Sequence, residues 1–151
     1  MMKLQALMVI LSVTFFTACS GDKSGHSGNK QSPENRPENK YYDGKGIGPI
    51  KELTLGDVPD ETLIKSGEQI YNSKCTSCHK LSAEKGIGPG LAGITERRRP
   101  EWIMNMMLNP MEMTQKDSLA KELLAIYYSQ MLDNNLTEEE ARSVLEFLRK
   151  K

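Results

Sequence analysis

Lys74–Lys80 reads KCTSCHK. Cys75 and Cys78 stand three residues apart, so on one helical turn both side chains project to the same side, and His79 follows at once. Zinc chemistry needs further thiolate or imidazole ligands. No Cys follows Cys78 and no His follows His79, and the other histidine, His26, lies in a polar stretch far upstream. Adjacent Cys78 and His79 are also poorly placed to grip one ion together. A thioredoxin-like redox pair needs alternating strands and helices around it, and the pattern here lacks them. The chemistry that fits is covalent: C-x-x-C-H is the attachment signature of c-type haem. The two sulfurs reach the two vinyl groups on one porphyrin edge, and His79 is placed beneath the iron as an axial ligand.

Outward from the motif, apolar residues recur at helical spacing. Asp60, after Pro59, caps a helix with Leu63, Ile64, Gly67, Ile70 and Tyr71 on one face. Pro100 opens a second, with Trp102, Ile103, Met106 and Met107 on its apolar side, and Pro110 ends it. Leu119, Leu123, Ile126 and Tyr127 mark a third. Thr137 and Glu140 form a capping box for a fourth, whose face is Ala141, Val144, Leu145 and Leu148 with Phe147 beside it. Only IKELTL, at 50–55, alternates like a strand. The expectation is an all-α fold of about four helices. Gly67 within an apolar helix face costs about 1 kcal/mol against Ala, and close approach of a second helix would explain it.

From Asp60 to Lys151 the segments GEQIYNSKCTSCHK, GIGPGL and NLTEEEARSVLEFLRK resemble the class I monohaem cytochromes c. The resemblance implies a small helical domain packed around one covalent haem c, with the first and last helices crossing beside it. It implies that Gly67 and Tyr71 meet Val144 and Phe147 at that crossing. It also implies that the Pro89 carbonyl accepts the free imidazole N–H of His79, fixing the ring and enriching the ligand in electrons. Gly88 and Gly90 let the backbone pass close to the haem. KGIGP occurs twice, at Lys45–Pro49 and Lys85–Pro89. Only the second copy carries this task; the first reads as a turn.

The domain has no second histidine, so the candidates for the other axial ligand are Met104, Met106, Met107, Met111, Met113 and Met131. Met106 and Met107 lie on an apolar helix face and read as core. Met131 stands in the non-periodic SQMLDNNLTEEE, and the resemblance implies it as the ligand, with Met111 and Met113 as alternatives. Trp102 is expected beside the haem, either packed or with its N–H on a propionate. Arg97, Arg98 and Arg99 read as a solvated turn, with one of them near a propionate.

The 151 residues suit one modest domain, and 20 basic against 20 acidic side chains favour neither nucleic acid nor an anionic membrane. Aromatics are only 6%, so the core must draw on aliphatic groups, the nine methionines, or a group the sequence does not encode. Lys3, the apolar run Leu4–Phe16 and FFTAC read as an export signal over residues 1–18, too short for a stable span. It resembles bacterial lipoprotein signals, which implies lipidation of Cys19; ordinary cleavage nearby is the alternative. Either puts the domain outside the cytoplasm, where c-type haem is joined. With Cys19 acylated, no disulfide framework is available. Residues 19–45, rich in Gly, Ser, Asn, Lys, Glu and Pro, are expected to form a disordered tether spanning roughly 25–30 Å. Residues 46–59 then form an extended connection, and 60–151 the domain.

These expectations converge on a one-electron carrier whose iron is held by His79 and Met131, with a positive potential favoured by the thioether and by apolar burial. Transient redox protein partners are expected at the thioether edge near Lys74, Lys80 and Lys85. The lipid would confine the domain to a membrane of the cell envelope, on its periplasmic side, and raise effective concentration. No nucleic acid or small-molecule substrate is expected. ERRRPEWIMNMMLNP resembles small cytochromes that accompany bacterial terminal reductases, including those for nitrous oxide. Two other classes stay open: a haem catalyst or gas sensor with an open sixth position, and an anchored binding module without haem.

Overall fold

A computed structural model of the chain describes residues 42–151. The export signal, Cys19, His26 and the tether up to residue 41 lie outside the described residues. Helix α1, Glu61–Lys74, starts where its capping residue dictates: the Asp60 carboxylate accepts the Thr62 and Leu63 N–H groups at 2.8 and 3.0 Å. It ends as the C-x-x-C-H turn begins, with the Cys75 N–H donating to the Tyr71 carbonyl. Helices α2 (Ile94–Arg97), α3 (Pro100–Leu108), α4 (Pro110–Lys116), α5 (Ser118–Tyr127) and α6 (Glu138–Arg149) follow. Among the described residues there is no strand, only an isolated bridge between Tyr42 and Arg98. The all-α expectation holds, with six helices where about four were expected. Pro110 does end α3, yet its fixed φ and missing N–H also suit the first position of α4.

Helices α1 and α6 form the most extensively packed pair. The capping box opens α6 in full: Thr137 Oγ1 accepts the Glu140 N–H and the Glu140 carboxylate accepts the Thr137 N–H. A Cβ on Gly67 would sit 2.5 Å from the Ser143 carbonyl carbon, inside the backbone of α6. The absent side chain is therefore what lets the helices touch. Tyr71 and Phe147 meet at the same crossing with ring centroids 5.4 Å apart. Both are buried, as is Val144.

Residues 42–58 form a strap that packs against the helices. Asn105, fully buried on α3, holds its middle. Its Oδ1 accepts the Ile50 N–H at 2.9 Å, and its Nδ2 donates to the carbonyls of Ile50 and Lys45 at 2.8 and 2.9 Å. Ile50 joins the core at 7% exposure. The Ile47 N–H points to the Met113 sulfur at 2.9 Å, and the Tyr42 hydroxyl donates to Asp117 at 2.9 Å. Further along, Arg142 and Arg149 bond the carbonyls of Thr54 and Gly56 while both pair with Glu146, 1% exposed. The first KGIGP thus packs against the helices as part of this strap, beyond the turn expected of it. Ile50, Leu53 and Leu55 of the alternating stretch supply its apolar contacts, and the buried Asn105 amide satisfies its main chain, a polar tie that no periodicity announces.

Candidate functional site

Cys75, Cys78 and His79 follow α1 in a tight turn, with the Cys78 and His79 N–H groups both donating to the Cys75 carbonyl at 3.1 and 2.9 Å. The segment after the motif folds back onto it. The Gly88 N–H donates to the Cys78 carbonyl at 2.9 Å and the Leu91 N–H to the Lys80 carbonyl at 2.8 Å. This brings the Pro89 carbonyl to 2.8 Å from His79 Nδ1. A carbonyl only accepts, so Nδ1 carries the proton and Nε2 keeps the lone pair a metal needs. A Cβ on Gly88 would lie 2.6 Å from the imidazole Cε1, so the ring stacks where only glycine leaves room. The Tyr71 hydroxyl braces the turn from the other side by donating to the His79 carbonyl at 2.6 Å.

These residues open onto a cavity of about 460 Å³, within the range of cofactor pockets. Cys75, Cys78, His79 and Pro89 stand on its wall together with Tyr71, Trp102 and Met131. Aliphatic groups from α2, α3 and α5, such as Ile94, Ile103 and Leu123, complete it. Burial pushes the Cys75 thiol up, with Lys74 opposing and Cys78 adding to the rise. Burial also raises the Tyr71 hydroxyl, so both line the wall uncharged at neutral pH. Among the described residues no group of three His, Cys, Asp or Glu side chains could hold a bare metal ion.

The Cytochrome c family matches residues 64–151. This chain belongs to the cytochrome c family. Membership implies a covalently bound haem c and electron transfer. Among solved structures, a cytochrome c from Rhodothermus marinus is 43% identical, with a TM-score of 0.67 over 79% of this chain and 96% of that one. An engineered form of the Rhodothermus marinus protein is 42% identical at TM-score 0.66, again over 79% and 96%. The same engineered protein bound to a carbene intermediate is also 42% identical, at TM-score 0.64 and the same coverage. No curated protein matches the chain. The solved structures cover more of the chain than the family match does, which accords with a strap that packs as part of the fold.

The residues fit haem c: an apolar cavity carries two thiols at the attachment spacing beside an imidazole held in the metal-binding tautomer. The methionines separate by position. Met111 is half exposed and off the cavity wall, and the buried Met113 sulfur meets the Ile47 N–H of the strap. Met104 is buried off the wall, whereas Met106, Met107 and Met131 stand on it. The first two belong to α3, and only Met131 comes from a loop.

Of the two readings of Trp102, packing is the one that fits: it is buried on the cavity wall, and its indole N–H donates not to a propionate but to Asp117 Oδ1 at 3.1 Å, the buried cap of α5. The three arginines do not form the expected solvated turn. Arg98 is 2% exposed with its guanidinium 5.6 Å from the Trp102 ring centroid, Arg97 and Arg98 line the cavity, and Arg99 bonds Glu101. Sequence reasoning passed over Asp117, Thr114 and Gln130. Asp117 before the helical run at Leu119 carried a capping signal; the other two carried none.

Proposed function

We propose that this protein is a membrane-tethered one-electron carrier, with haem c joined to Cys75 and Cys78 and its iron held between His79 and Met131. The observation that carries this reading is one apolar cavity lined by both thiols, by the imidazole that Pro89 orients, and by a methionine from the loop before α6. When bound, the haem supplies an iron that gains and loses one electron. The chain does the rest. His79 Nδ1 keeps its hydrogen bond to Pro89, which makes Nε2 the more basic donor. Tyr71, Ile103 and Leu123 keep water from the cavity and so favour the less charged, reduced state. Of the three cations on the wall, Lys74 donates to the Asn134 carbonyl, and Arg97 and Arg98 are the ones that would meet the cofactor's carboxylates.

Partners would be redox proteins that dock at the cavity mouth and leave quickly. Ile87 and Leu132 line the cavity and are 56% and 71% exposed, an apolar rim for such a contact. Lys80 is already paired with Glu84, and Lys85 lies over the Tyr127 ring. Steering by these lysines is therefore weaker than their number suggests. Tethering through Cys19 on the periplasmic side of the cell envelope, and delivery to a terminal reductase, rest on the sequence of the leader and of ERRRPEWIMNMMLNP.

A redox titration of the haem-loaded protein tests the reading. A reversible one-electron couple at positive potential, with a sulfur-to-ferric-iron band that Met131→Ala abolishes, is the expected result. A high-spin ferric spectrum indifferent to that substitution would instead support a catalyst with an open sixth position. That second reading draws on the engineered Rhodothermus marinus cytochrome c with a bound carbene intermediate.

A further inference from the structure

The loop that carries Met131 is held by side chains, not by its main chain. From residue 129 to 136 no backbone–backbone hydrogen bond forms among the described residues. Both ends turn through the left-handed region, at Tyr128 (φ 51°) and Asn135 (φ 50°). Met131 and Leu136 pack against the core, and two side chains, Lys74 and Gln130, supply the hydrogen bonds between the loop and the rest of the fold. Lys74 donates to the Asn134 carbonyl at 2.9 Å. Gln130, the immediate neighbour of Met131, is gripped by Thr114 of α4, whose hydroxyl lies 2.9 Å from Gln130 Oε1. Thr114 is buried and stands on the cavity wall. With Oε1 as acceptor, Gln130 Nε2 donates to the Met131 carbonyl at 3.1 Å and reaches towards the Pro110 carbonyl at 3.4 Å. The Thr114 hydroxyl has one proton and could instead spend it on the Pro110 or Met111 carbonyl, each 3.0 Å away. Those are the ordinary back-bonds of a helical threonine, and Gln130 is the acceptor outside the helix.

We infer that Thr114 and Gln130 are positioning residues for the sixth ligand: the chain Thr114 hydroxyl, Gln130 amide, Met131 carbonyl ties the methionine's backbone to α4 and sets how readily its sulfur leaves the iron. The inference rests on Met131 being that ligand. A loop with few hydrogen bonds to the rest of the fold opens at lower cost than one held by its main chain, so each bond lost favours an outside ligand.

The experiment is a titration of the ferric, haem-loaded full chain with imidazole, read as loss of the sulfur-to-iron band. Thr114→Val keeps the shape and removes the hydroxyl. It should tighten imidazole binding roughly fivefold, the loss expected for one hydrogen bond. Thr114→Ser should stay within about twofold of the parent, and Gln130→Leu should shift as Thr114→Val does. Gln130→Leu also serves as the reading if the valine variant fails to load haem. Imidazole affinity unchanged in both Thr114→Val and Gln130→Leu, or raised equally by Thr114→Ser, overturns the inference. Met131→Ala separates the two layers: a band that survives it removes the ligand assignment and the inference together. A band that it abolishes leaves the assignment standing and lets the other variants decide.

Discussion

Replacing Asn105 by Ala should loosen the strap and destabilise the whole domain. The side chain is fully buried and is the hydrogen-bond partner the structure provides for both main-chain groups of Ile50. Truncation orphans that N–H and that carbonyl in a site 7% exposed. Each buried group left without a partner costs about 1–3 kcal/mol, so the pair costs about 2–6. The Lys45 carbonyl also loses its bond but can be rehydrated more cheaply, its residue being half-buried. Against a typical domain stability of about 5–15 kcal/mol, this is a large fraction. Asn109→Ala is the control: Asn109 reaches the strap through one long bond, 3.3 Å to the Ile47 carbonyl, and its other bond goes to the solvent-accessible Glu112 carboxylate, so it should cost about 1 kcal/mol. The assay is denaturant unfolding of the haem-loaded protein followed by far-ultraviolet circular dichroism. A loss at Asn105→Ala no greater than at Asn109→Ala would refute the reasoning and return residues 42–58 to the status of a linker.

Three further outcomes follow from the geometry. Gly67→Ala gains about 1 kcal/mol of helix propensity, yet its Cβ meets the Ser143 backbone. The clash should win, and thermal unfolding should show a net loss of at least about 1 kcal/mol; a net gain would show that α1 and α6 have room to spare. Gly88→Ala places a Cβ 2.6 Å from the His79 ring, so a spectrum and redox titration should show displaced imidazole ligation and a shifted potential; parent-like values would count against the stacking. Burial works against the charge on Glu101, but hydrogen bonding from Arg99 and the nearby Lys45 outweigh it and hold its carboxyl below the usual 4.5. Its stabilisation should be present above about pH 4.5 and fade as pH falls through the lower folded value. Comparing Glu101→Gln with the parent across that window checks the sign: the two should converge in acid, and a gap that widens there would contradict it.

What could be read from sequence was local. Asp60, Thr137 with Glu140, and Pro100 act on their own next turn, so the ends of α1, α3 and α6 were legible. The geometry around His79 was legible too, because Cys75, Cys78, His79 and Pro89 lie within fifteen residues of each other and their spacing brings the Pro89 carbonyl to the ring. What stayed hidden was long-range and polar. Asn105 reaches back across 55 residues to Ile50, and Thr114 reaches forward to Gln130 across a helix and a turn. Such pairs leave no periodic trace, since a buried amide looks like any surface asparagine until its partner is known. Met113 illustrates the same limit: in sequence it was a possible ligand, and only the strap folded against it shows where its sulfur goes.

The account stands on haem bonded to Cys75 and Cys78. Intact mass spectrometry under denaturing conditions, on chain produced alongside haem-attachment machinery, tests it most directly. The prediction is a mass heavier by one haem that acid extraction does not remove, with Cys75→Ser and Cys78→Ser together abolishing the gain. A parent chain carrying no haem mass under those conditions would contradict the account.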